Sequence, residues 1–141
     1  MVQVDVVYRG GLRCEARHGP SGNTLFTDAP VDNQGKGEAF SPTDLVATAL
    51  GTCIATIMGI VAERETIDLV GVTITVQKEM SADPPRRIAK LSVRIFLPRP
   101  LDEKQRTKLE NAAKTCPVHQ TLHGKVEMPT EFVYPTRIIS E

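Results

Sequence analysis

The sequence holds 141 residues, with 17 basic and 17 acidic side chains and no Trp, so its formal charge is zero. That balance excludes the basic footprint of a nucleic-acid binder and the charge run of an acidic tail. A chain of this length reads as one domain, residues 1–141, with a modest core that a second copy of the chain would enlarge.

At the N-terminus, Val2, Val4 and Val6 alternate with Gln3, Asp5 and Val7, which predicts a strand running to Tyr8. The stretch lacks the charged-then-apolar plan of a secretory signal, so a cytoplasmic protein is expected. Gly10 and Gly11 predict a turn or bulge, and Leu12 to His18 continues the strand or pairs back on it. Gly19 to Asn23 is turn-forming, and Thr24 to Thr27 has strand composition, so the opening reads as a meander. Ala29 to Phe40 has no periodicity and predicts a loop able to cover a site.

Ser41 to Arg64 is the longest apolar stretch. Ser41 as cap, Pro42 at the first helical position and Asp44 three residues after the cap mark a helix start. No residue from Leu45 to Ala62 is charged, a length at the lower limit for a membrane span. However, Thr48, Thr52 and Thr56 form one stripe and Ala47, Gly51, Ala55 and Gly59 another, which suits a neighbouring backbone better than lipid. We therefore expect a core helix and no membrane partner. Val46, Leu50, Cys53, Ile57 and Val61 share a third face, which would bury Cys53 among aliphatics.

Beyond the helix, Asp68 to Lys78 and Ile88 to Leu97 alternate as two strands of an antiparallel hairpin, broken at Asp83, Pro84 and Pro85. Asp102 with Gln105 predicts the start of an amphipathic helix carrying Leu109, Ala112, Ala113 and Cys116 on one face. Pro117 ends that helix and opens a short one through Leu122, placing Cys116 at a helix N-terminus. Lys125 to Tyr134 predicts a last strand broken around Pro129.

The chemistry rests on the thiols. Cys14, Cys53 and Cys116 are too few and too widely spaced for a disulfide scaffold. A buried Cys53 alone packs as a small hydrophobe. Cys116 at a helix start has a dipole and backbone N–H groups that favour its thiolate, with His119 one turn on as a possible proton acceptor. Cys14 has no such context and reads as a packing residue.

SPTDLVATALGTC, containing Cys53, and TCPVHQTL, containing Cys116, resemble the two cysteine motifs of the OsmC/Ohr family of peroxide-detoxifying proteins. The resemblance covers most of the chain after Ser41. It implies an α+β fold with antiparallel β-sheets wrapped around long central helices in an intertwined homodimer. It also implies a thiol-dependent peroxidase acting on organic hydroperoxides, with Cys53 as the attacking and Cys116 as the resolving cysteine. No cofactor is implied; the reductant would be a dithiol, of lipoyl type by resemblance. Peroxidase members carry a glutamate after the motif Pro, where this chain has Thr43 followed by Asp44, and a less characterised branch shares the SP-x-[DE]-L pattern seen here as SPTDL. The family arginine that holds the thiolate has no fixed counterpart, so Arg13, Arg17 and Asp44 remain open as activators of Cys53. Two other readings compete: a dimeric small-ligand-binding protein with idle thiols, and a metal site from Cys116, His119 and His123, which share one helical face.

Overall fold

The computed structural model describes residues 1–136. These form two compact units, Met1–Val46 and a second beginning at Ala47, each with one three-stranded sheet. The mixed α+β class agrees with the expectation.

In the first unit, β1 (Val4–Gly10), β2 (Arg13–His18) and β3 (Thr24–Asp28) form the expected antiparallel meander. Leu12 to His18 thus pairs back rather than continuing the first strand. The turn passes through Gly10 and Gly11 at φ of 84° and 62°, values glycine adopts without strain. Register places Val6, Ala16 and Leu25 in one row and Tyr8, Cys14 and Thr27 in the next, on the same face. Val6 and Tyr8 are each 63% exposed in the single chain. The predicted loop after β3 is ordered by one carboxylate. Asp28, only 3% exposed, accepts bonds from Arg13 and from the Glu38 N–H at 3.1 Å, and a single 3-10 turn spans Val31–Asn33. Gly35 is needed there because a Cβ would fall 1.6 Å from the Ala29 carbonyl oxygen.

Helix α1 (Pro42–Arg64) begins as its sequence dictates. The Asp44 N–H donates to Ser41 Oγ at 3.0 Å, and the Ser41 N–H donates to Asp44 at 2.9 Å, a reciprocal cap that satisfies two orphan donors. The helix is long and apolar enough to cross a membrane by length and composition. Its buried face is Ala47, Leu50, Ile54, Met58 and Ala62, one position round from the predicted one. Only Leu50 belongs to both. With every face apolar, periodicity cannot choose between them. The Thr52 and Thr56 hydroxyls donate to carbonyls one turn back at 2.8 Å, which satisfies exposed hydroxyls without a neighbour.

In the second unit, β4 (Thr73–Met80) and β5 (Ile88–Phe96) form the predicted hairpin. β4 starts later than expected because Asp68 to Gly71 turns instead: Gly71 has φ 97°, and Arg99 donates to the carbonyls of Asp68 and Val70. Gly51 of α1 faces the methyl groups of Val76 and Ile74 on β4, so the small-residue stripe allows close approach where it meets the sheet. Leu91 and Ile95 of β5 are completely buried, worth about 1.5–3 kcal/mol each. α2 (Glu103–Lys114) has the expected Asp102–Gln105 capping box, and α3 (Pro117–Leu122) follows. β6 (Thr130–Val133) is the predicted final strand, but it pairs parallel with β5. Parallel pairing requires a crossover, and α2 with α3 supplies it.

Candidate active site

The second unit brings together two of the three thiols. Cys53 sits mid-way along α1 and is half-buried, more open than expected, because it lies beside the buried face rather than on it. Cys116 caps α3 and is completely buried. The side chains of Cys53 and Cys116 are close enough to influence each other's protonation, and both are free thiols. The local sequence builds this corner: Pro117 at the first helical position stops α2 and starts α3, which turns Cys116 inward.

The expectation that the helix start would favour a Cys116 thiolate does not hold. Burial pushes the Cys116 thiol up, and the neighbouring Cys53 thiol adds to the shift, while the His119 N–H, donating to Cys116 Sγ at 3.5 Å, works against it. Desolvation of a charged sulfur outweighs one turn of helix dipole. Cys116 therefore keeps its proton where an ordinary thiol would begin to lose it.

Arg13 and Asp44 each have charged or capping partners within the first unit. Arg13 makes a fork to Asp28 at 2.8 and 2.9 Å and reaches Glu38 at 3.1 Å. The paired guanidinium holds the Asp28 carboxyl below its usual range, and Asp28 raises Arg13 in return. Asp44 accepts the Ser41 N–H in the helix cap, and Thr43, in the place of the family glutamate, lies 3.2 Å from Ser41 Oγ. Arg17 is exposed at the end of β2. Cys14 is half-buried on β2 opposite Tyr8 and Thr27, in the first unit.

His119 does not complete a metal set with Cys116 and His123. Its ring stacks on His123 with centroids 5.9 Å apart, and among the described residues no three Cys, His, Asp or Glu side chains gather as metal donors. The Nδ1 atom of His119 is buried without a hydrogen-bond partner, a cost of about 1–3 kcal/mol. His119 also lines a cavity of about 330 Å³, together with Ile54, Ala113, Lys114, Met128, Thr130 and Phe132. Sequence reasoning missed this space. Its wall comes from α1, α2, α3, β6 and the Met128 segment, and no single stretch carries its pattern.

The OsmC family model, described as OsmC-like protein, matches residues 35–131. Among solved structures, a Psychrobacter arcticus protein described as an osmotic stress induced and detoxification response protein is 45% identical, with a TM-score of 0.85 and 96% of each chain covered. The organic hydroperoxide resistance protein OsmC of Legionella pneumophila is 17% identical, with a TM-score of 0.77 over 94% of this chain and 96% of that one. An OsmC-like protein from Mycoplasma pneumoniae, 15% identical, has a TM-score of 0.81 over 96% of this chain and 98% of its own. The last two are likenesses of fold. No curated protein matches the chain.

Proposed function

The chain belongs to the OsmC-like protein family, and on that premise we propose that it is a cytoplasmic, thiol-dependent peroxidase that reduces organic hydroperoxides. One observation carries the proposal: the Cys53 and Cys116 thiols are close enough to interact, one half-open and the other buried with its proton held. The asymmetry suits two different roles. Cys53 has access to a substrate, so its thiolate attacks one peroxide oxygen, the O–O bond breaks, and the other oxygen leaves with a proton as an alcohol. Cys53 becomes a sulfenic acid. Cys116 then attacks the Cys53 sulfur, its proton and the sulfenic hydroxyl depart as water, and a disulfide forms. An external dithiol restores both thiols by taking the oxidation onto itself.

The proposal includes a homodimer. Its support is the exposed apolar row of the first sheet and the long apolar α1, of whose most apolar 18-residue window only 28% is buried within one chain.

The deciding experiment adds one equivalent of an organic hydroperoxide to the reduced protein and maps its peptides by mass spectrometry. A Cys53–Cys116 disulfide with Cys14 reduced is expected; Cys53→Ser should abolish turnover, and Cys116→Ser should let Cys53 pass to sulfinic and sulfonic acids. Thiols left untouched by the hydroperoxide would instead support the small-ligand-binding alternative.

A further inference from the structure

We propose that the external dithiol opens the Cys53–Cys116 disulfide at Cys53, so that the mixed disulfide forms there and Cys116 is the sulfur that leaves. The inference rests on the peroxidase reading and adds the reductant's point of attack. A thiolate approaches a disulfide sulfur in line with the bond it breaks, so access to each sulfur selects the product.

The two cysteines differ in access and in freedom to move. Cys53 is half-buried, with Ile54 buried on one flank and Thr52 and Thr56 exposed on the other, so its helix keeps an open side. Cys116 has no exposed surface, and the backbone around it is pinned. The Thr115 N–H donates to the Ala112 carbonyl at 3.0 Å, and the Gln120 N–H donates to the Cys116 carbonyl at 3.0 Å. The Gln120 side chain donates to the Lys114 carbonyl at 2.8 Å. Cys116 therefore does not swing out to meet a thiol. Leaving-group acidity works the other way, because the more acidic thiol leaves faster and Cys116 holds its proton more tightly than an ordinary thiol. Access wins, since a sulfur that no thiolate reaches is not attacked.

The first thiolate of the dithiol bonds to Cys53 Sγ and the S–S bond breaks. Cys116 Sγ takes the electron pair and the proton that the attacking thiol shed. The His119 N–H, 3.5 Å from Cys116 Sγ, supports that sulfur while it is charged. Once protonated, Cys116 does not re-attack, because the thiolate is the nucleophile. The second thiol of the reductant then attacks its own sulfur in the mixed disulfide and Cys53 leaves. Both protein thiols are restored, and the reductant ends as a disulfide.

The test uses full-length Cys14→Ser protein, which keeps two of the three cysteines, bridged with diamide so that no peroxide chemistry is needed. 2-Mercaptoethanol, which lacks a second thiol, is added near neutral pH, acid stops the exchange, and the peptides are mapped by mass spectrometry. The adduct is expected on Cys53 in at least about tenfold excess over Cys116. Its yield should fall as pH rises through and beyond the range of ordinary thiols, where the Cys116 thiolate recloses the bridge. In the reduced single-thiol proteins, an aromatic disulfide such as dithiobis(nitrobenzoate) should react at Cys53 of Cys116→Ser at least about tenfold faster than at Cys116 of Cys53→Ser. An adduct chiefly on Cys116, equal adducts on both, no adduct, or a pair that diamide does not bridge would each overturn the proposal. A pair that diamide bridges and a hydroperoxide leaves untouched would overturn the peroxidase reading alone.

Discussion

The two three-stranded sheets have similar sequence patterns and different fates. In the second unit, Leu91, Val93 and Ile95 of β5 are at most 1% exposed. In the first, the corresponding apolar row leaves Val6 63% and Leu25 44% exposed, and the best-buried side chain on its three strands is a carboxylate, Asp28. One sheet is finished by its own chain through hydrophobic burial. The other is organised from one edge by a forked ion pair and leaves a surface fit for another molecule. Alternation of apolar residues thus reports that a face will be covered, without saying by which chain.

This contrast can be broken from either side. The largest effect is expected in the second unit: Leu91→Ala removes a fully buried side chain and should cost about 2–5 kcal/mol in urea unfolding. Val6→Glu tests the open face. With the proposed homodimer, it should leave the fold of a single chain intact but shift the light-scattering mass towards that of one 15.4 kDa chain; a mass unchanged from that of the native sequence would show that this face is not the covered one.

Acid should loosen the first unit before the second. The Asp28 carboxyl is held below its usual range by Arg13, so its contribution is complete above the ordinary carboxylate value and is lost as pH falls through the lower folded value. Hydrogen exchange of the β2 and β3 amides should accelerate over that acid range, and Arg13→Gln should move the acceleration to higher pH. An identical profile in Arg13→Gln would remove the ion pair as the organiser.

The smallest effect concerns proton affinity. Cys116 should alkylate more slowly than Cys14 in mildly alkaline buffer, with a midpoint above that of an ordinary thiol, because burial and Cys53 both raise it. Cys53→Ser should lower that midpoint only in part, since burial remains. Peptide mapping after timed alkylation measures both.

Local signals were legible wherever the chain satisfies its own backbone. The Ser41–Asp44 and Asp102–Gln105 caps fixed two helix starts, and Pro117 placed Cys116 at a third. What the residues could not disclose depended on distant partners. The start of β4 moved because Arg99 clamps the Asp68 turn, although apolar alternation runs straight through it. The parallel direction of β6 follows from a crossover, and strand composition is blind to direction. For the site, the two motifs named the two cysteines, and the short helix put Cys116 at its cap. The direction of the Cys116 shift was misjudged because a dipole can be read from one segment, while desolvation needs the whole shell.

The parallel seam between β5 and β6 also sets when the thiols can meet. Cys116 lies on the crossover between those strands, so its placement is tied to a pairing made near the end of synthesis. Long-range parallel pairing closes a large loop and is intrinsically slow. A chain emerging from the ribosome therefore presents Cys53 before the crossover that carries Cys116 is closed. A chain interrupted before β6 carries both thiols but lacks the strand pairing that closes the crossover bearing Cys116.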